Sequence, residues 1–275
     1  MLDQWGVLYD QPIVLNRRQA GAAIEGALRQ KQVDHLEKVA VDTHSHFAMG
    51  LAKVVGFDLT PRLARLKTRK LHLPTGFAGP VPEGLKPLIA PTSISRRVIG
   101  RGWEDLLRLG ASVKDGWYPA TDALDRYGAA SRGDAVYEAG SALGKLLLTL
   151  YLCDYLGDLE FRNKILDLLN QGEAVHSLQR AIHNGAIPAK RGRTTQQLEA
   201  ISGALTLMAN IVMTWNTHRI QQTADRDQST FSKEVLRHIA PIGHGHINLR
   251  GVMTFDLVHS RAALLGLPTA AVAQA

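Results

Sequence analysis

Between residues 73 and 91 the chain carries Pro74, Gly76, Gly79, Pro80, Pro82, Gly84, Pro87 and Pro91, a density of breakers through which no long helix or central strand can run. The segment is a loop-rich connection, and it separates two stretches of different periodicity. Before it, Trp5–Tyr9 and Pro12–Leu15 are short and rich in β-branched or aromatic residues, as edge strands or a hairpin would be. Ala20, Ala23, Ile24, Ala27 and Leu28 recur at helical spacing and predict a helix over 19–32. Val39-Ala40-Val41 predicts a strand ending at Asp42, residues 46–55 a second helix with Gly56 as its cap, and residues 57–63 a further strand in which Pro61 marks an edge or an end. Strand, helix, strand, helix, strand implies a mixed or partly parallel sheet. Beyond the break, residues 103–109, 139–156, 159–169 and 173–183 all show three-to-four spacing of apolar positions. The expected architecture is α/β, with a sheet-containing part (1–72), a loop-rich and helical insertion (73–160) and a helical part (161–275).

A 275-residue chain that is 45% hydrophobic has ample material for a packed core. Its two most apolar stretches, 139–152 and 198–215, are interrupted by Lys145 and by Glu199 and Asn210, so both are expected as buried helices, with no membrane partner. No basic segment followed by an apolar block opens the sequence, and the single Cys153 allows neither an internal disulfide nor a thiolate cluster; a reducing cytoplasm fits both. Cys153, in the apolar context of 146–156, is expected in the core. Trp103, Trp117 and Trp215 are expected first as core residues and second as platforms for unpaired bases.

The formal net charge of +7 is clustered: Arg62, Arg65, Lys67, Arg69 and Lys70 fall together, Arg96, Arg97 and Arg101 form a second group, and Lys190, Arg191 and Arg193 a third. Such clusters favour a polyanion through counterion release, although a solvated basic face has the same composition. Two carboxylates 131 residues apart suggest what the polyanion is for. Asp42 ends a strand, where a rigid backbone can hold a ligand for a hard divalent cation, and Glu173, in Asn170-Gln171-Gly172-Glu173-Ala174, opens a helical stretch that could supply another. Taken singly, Asp42 could be a turn residue or cap, and Glu173 an ordinary acid in a first helical turn.

The local sequences around both acids resemble those of the Tn-three family of replicative transposases. The resemblance runs through Gln11-Pro-Ile-Val-Leu-Asn16, Val41-Asp42-Thr43-His44, Gly56-Phe57 with Pro61-Arg62-Leu63, and Leu169-Asn-Gln-Gly-Glu173-Ala174. It continues through Ser177-Leu178, Arg180-Ala181, Trp215-Asn216-Thr217, and Pro241-Ile-Gly243 leading into His246-Ile-Asn-Leu249. It implies an RNase H-like core carrying an Asp-Asp-Glu triad, Mg²⁺ or Mn²⁺ as cofactor, DNA (transposon ends and target) as partner, and a homo-oligomer in the intact family. Asp42 then corresponds to the second Asp and Glu173 to the Glu, both as catalytic metal ligands, while Arg62, Arg65, Lys67, Arg69, Lys70 and Arg180 position phosphate backbones.

The family's first Asp lies on a strand upstream of the matched segment, and Asp3, Asp10 and Asp34 are poor replacements for it. The expectation is therefore a C-terminal fragment or truncated frame, inactive alone in strand transfer. Two alternatives stand beside it: a non-catalytic remnant that binds DNA or an intact transposase, and a metal hydrolase of the TatD and amidohydrolase type, suggested by the His44-x-His46 strand end. A second His pair, in Gly243-His244-Gly245-His246, has no further ligands nearby and is expected to be structural.

Overall fold

Val39 and Val41 point inward along a four-residue strand, β1 (Lys38–Val41), which lies parallel to β2 (Asp58–Pro61) with Val41 in register with Pro61. Parallel neighbours need a crossover, and here it is a helix. In this computed structural model the described residues are 7, 19–30, 37–41, 45–63, 65–128, 133–183, 194–227 and 229–249. The helix α1 (Gln19–Arg29) precedes β1, and α2 (His46–Val55) connects the two strands. The Ser45 side chain accepts from the Ala48 N–H at the start of α2, and Gly56, at a φ of 119°, closes it by donating to Ala52 and Lys53. Gly56 is the cap that the sequence signals, supplying the left-handed conformation without a Cβ penalty, and Ser45 adds a side-chain cap at the other end.

After the break, α3 (Arg96–Lys114), α4 (Ala120–Gly128), α5 (Ala135–Gly157), α6 (Leu159–Ile182), α7 (Thr195–Arg226) and α8 (Lys233–Arg237) follow. The Pro- and Gly-rich connection is held more tightly than a loop of that composition suggests. It contains a 3-10 helix (Glu83–Leu88), and Leu71 and Ala90 exchange backbone hydrogen bonds with Leu88 and Leu71 at 2.7 and 2.8 Å. The core is centred on α2, which is apolar almost all round, with Phe47, Ala48, Met49, Gly50, Leu51, Ala52 and Val55 buried. Its most extensive packing is against α5.

That packing depends on small residues. A Cβ at Gly50 would lie 2.2 Å from the Gly140 carbonyl oxygen, and one at Gly144 would lie 1.6 Å from the His46 carbonyl oxygen. The two backbones touch directly, as only glycine allows.

Several expectations change. Residues 159–169 and 173–183 are not two helices but one, α6, because a lone Gly172 costs only about 1 kcal/mol relative to Ala in a helix interior and tertiary packing outweighs it. Glu173 therefore sits beyond the middle of a helix, not at its start. Cys153 is exposed: Leu148, Tyr151, Leu152 and Tyr155 define the inward face of α5, and Cys153 falls on the opposite side. Trp103, Trp117 and Trp215 are exposed as well, Trp117 at 84%.

The helix α7 is not the buried element that its apolar run predicts. It is long and apolar enough by length and composition to cross a membrane, with a mean hydropathy of 1.3, yet only 22% of that apolar window is buried. Leu205, Ala209, Val212, Met213 and Asn216 form one inward stripe, while Leu207 and Trp215 face outward. Trp215-Asn216-Thr217 lies inside α7. Its buried Asn216 amide donates to the carbonyls of Pro241 (2.8 Å) and Gly243 (2.7 Å) and ties the following segment to the helix.

The expected strands at 5–9 and 12–15 lie outside the described residues, except Val7. There the Asn210 side chain of α7 accepts from the Val7 N–H (2.8 Å) and donates to its carbonyl (3.0 Å). By internal contacts the chain divides after Gly243. In the second unit, Ile247 donates to the His244 carbonyl at 3.1 Å, a turn that accounts for part of the Gly-His-Gly-His segment.

Candidate functional site

Where β1 and β2 end, the two chains leave the sheet side by side: the Arg62 N–H continues the ladder by donating to the Val41 carbonyl at 2.8 Å. Asp42, the residue joined to Val41, lies outside the described residues, as do Thr43 and His44. The neighbouring strand end is fixed from below by Tyr151 of α5, whose hydroxyl donates to the Pro61 carbonyl at 2.6 Å within the core. Burial, and secondarily Tyr155, pushes the Tyr151 hydroxyl far above the ordinary tyrosine range, so it remains a proton donor at any physiological pH. Tyr151→Phe would leave a buried carbonyl unsatisfied. It is expected to cost about 1–3 kcal/mol in urea denaturation; wild-type stability would show that Pro61 is satisfied by another donor.

Beside this strand end stands Glu173. In α6, Val175 and Leu178 face inward, leaving Glu173, Ser177 and Arg180 on an outward face at helical spacing. The Arg62 guanidinium lies 3.4 Å from the Glu173 carboxylate; Arg62 is half-buried and Glu173 is exposed at 62%. An ion pair so exposed contributes about 0–1 kcal/mol at most. Its interest is positional: it brings a helix acid to the end of the strand pair across 111 residues of sequence.

The remaining predicted residues divide. Arg65 is exposed and adopts a left-handed φ of 55° before the 3-10 helix Leu66–Thr68. Lys70 turns away and donates to the Pro87 carbonyl at 2.8 Å. Arg69 reaches into a cleft beside the start of α2. Arg180 shares the outward face of Glu173, two turns further along α6. The side chain of Lys67 lies outside the described residues, as does the third basic cluster at 190–193. In the second cluster, Arg101 pairs with Glu138 of α5. Among the described residues, no group of three His, Cys, Asp or Glu side chains gathers as a metal cluster.

Sequence reasoning missed Tyr151 and the histidine contact between His46 and His72, whose rings meet edge to face at 5.8 Å. Nothing in a one-dimensional pattern signals either. Burial, with Lys145 close by as the second cause, holds the His72 imidazole below its usual range.

The geometry brings a parallel strand end, a helix-borne glutamate and arginines together, and the chain belongs to the family of the Tn3 transposase DDE domain, which matches residues 1–252. It is 43% identical over 260 residues to the transposase for insertion sequence element IS1071 in transposon Tn5271 of Comamonas testosteroni, covering 93% of this chain and 26% of that protein. It is 30% identical to the transposase for transposon Tn1546 of Enterococcus faecium (92% and 26% covered), and 29% identical to the transposase for transposon gamma-delta of Escherichia coli strain K12 (85% and 24%). The chain thus spans about a quarter of the length of these relatives. No solved structure matches it. The barrel-hydrolase alternative falls with this match: the family differs, and the described residues beyond the Pro- and Gly-rich connection form helices where a barrel needs alternating strands.

Proposed function

We propose that this chain carries the second Asp and the Glu of a DNA transposase centre, Asp42 and Glu173, and that β1 and β2 are part of an RNase H-like sheet. The Arg62 bridge carries this reading: one residue is bonded through its backbone to the strand that leads into Asp42 and through its side chain to Glu173. The donor chemistry fits a divalent cation such as Mg²⁺ or Mn²⁺. Glu173 offers exposed carboxylate oxygens, the ligand type that hard cations take, and its contact with Arg62 is weak enough to exchange. When bound, such a cation would polarise phosphoryl oxygens and lower the barrier to attack on a DNA phosphodiester.

The chain's own residues then do the rest. Asp42 and Glu173 would hold such a cation. Arg62, released from Glu173, and Arg65, Lys67, Arg69, Lys70 and Arg180 hold backbone phosphates so that the reacting bond stays in place. In this reading the region 1–72 supplies the strand-end acid, 73–160 the supporting helices and 161–275 the helix acid. The protein works in the cytoplasm as an oligomer on two DNA partners, transposon ends and target.

The test is a Mn²⁺ titration followed by electron paramagnetic resonance. Asp42→Asn and Glu173→Gln are each expected to weaken binding by about tenfold to a hundredfold, the range seen when a metal site loses a supporting interaction. The double variant should lose little more than either single one, because both residues serve one site. Wild-type Mn²⁺ binding in both single variants, or losses that add as for independent sites, would leave a DNA-binding relative without a shared metal centre.

A further inference from the structure

On the far side of the start of α2 lies a cleft of about 740 Å³, within the range of about 300–1,000 Å³ typical of ligand pockets. One wall is a stripe of α5 that carries three polar side chains: Glu138, Ser141 and Lys145, three and four residues apart, with Ala142 beside them, all line the cleft. Lys145 is the charge that interrupts the apolar run of this helix. The glycine contact explains its placement, since Gly144 lets α5 approach the His46 carbonyl and delivers the next residue to the mouth of α2. Arg69 enters from the opposite side, at the end of the basic segment that begins with Arg62. The only acid among the described lining residues, Glu138, is paired with Arg101.

The remaining lining is of two kinds. Hydroxyls come from Ser45, Thr92, Ser93 and Ser95, around the starts of α2 and α3, whose first backbone N–H groups add partial positive charge. Aromatic surface comes from the half-buried Tyr137, backed by the buried Tyr127, both packed on Phe47 with ring centroids 5.9 and 5.0 Å away. Cations and hydroxyls together with an aromatic ring suit a phosphate joined to a planar base, and the space exceeds what an inorganic anion needs. The cleft is also close to the proposed centre: Ser45 is three residues after Asp42, so at most about 11 Å of extended chain separates them.

We propose that this cleft is a subsite for one nucleotide of a DNA strand, with Lys145 and Arg69 holding its phosphate and the tyrosine wall meeting its base. The inference rests on the transposase reading above. It adds a place for the strand beyond the reacting phosphate, and makes Lys145 a binding residue on an element that the carboxylates do not use.

The experiment is fluorescence anisotropy of the full 275-residue chain with labelled hexathymidylate in EDTA, so that no metal site takes part. Lys145→Met is expected to weaken binding about fivefold at roughly 0.1 M salt and to lower the slope of log affinity against log salt by about 0.7, the effect of one phosphate contact on a single strand. Lys145→Arg should restore both. Ser141→Asp, which places an anion on the same stripe, should weaken binding in the same direction and serves if Lys145→Met fails to fold. Thymidine monophosphate competing as well as the hexamer would make this a free-nucleotide site and overturn the strand assignment. Unchanged affinity and slope in Lys145→Met and Ser141→Asp would overturn the cleft altogether. Lys145-dependent binding together with a failed Mn²⁺ titration would remove the carboxylate reading alone, and the converse pair of results would remove only the cleft.

Discussion

Gly144→Ala is expected to destabilise the protein by about 3 kcal/mol or more, the upper end of what overpacking a core costs. The added Cβ would lie 1.6 Å from the His46 carbonyl oxygen and 2.5 Å from its carbon, both backbone atoms that no rotamer change can move aside. Relief requires α2 and α5 to separate, and the whole face around Phe47, Leu51 and Leu148 would lose contact with them. For a chain of this size such a loss lowers the melting temperature by roughly 6–12 °C. Gly203→Ala in α7 is the control, because nothing lies within 4 Å of its Cβ position. It should be neutral or stabilising by about 0.4–1 kcal/mol. Equal urea midpoints for the two variants would refute the close helix contact.

Reversing charge at Arg62, Arg65 and Arg69 is expected to lower affinity for double-stranded DNA by on the order of 10³-fold at about 0.1 M salt, since each phosphate contact contributes about 0.9 to the salt slope. The slope itself should fall by about three. Sequence preference should change little, because backbone contacts position the protein without reading bases. Arg62→Glu alone should add a second effect, placing an acid beside Glu173 where a guanidinium now stands. Affinity that is identical at low and high salt in the unmodified protein would remove the electrostatic account, whatever the triple variant does.

The elements legible in the sequence are those with local causes. The helix α2 carries its start in Ser45 and its stop in Gly56, and β1 carries three small or β-branched residues in a row; neither needs information from afar. Errors arose where a run of apolar residues had to be assigned a face. Cys153, Trp117 and Leu207 look like core in one dimension, and only the neighbours chosen by α5 and α7 expose them. Gly172 reads as a boundary because the cost of glycine is local and the packing that outweighs it is not. The candidate site shows the same division. Asp42 and Glu173 stand out in the sequence as a strand-end acid and a helix acid, and resemblance gives them their roles; the Arg62 contact, spanning 111 residues, cannot be inferred from spacing. Lys145 was visible only as an interruption, and its partners on the starts of α2 and α3 became apparent with the fold.

Lys145, Thr149 and Tyr151 fall within about 9 Å of α5. Over that span the helix presents the cleft cation, then Thr149, which accepts from the His72 backbone N–H at 2.8 Å, then the hydroxyl that grips Pro61. A substitution that forces α5 away from α2 here, as Gly144→Ala does, is therefore expected to disturb two proposed DNA contacts at once: the cleft through Lys145, and the strand end through Pro61, one residue before the arginine beside Glu173.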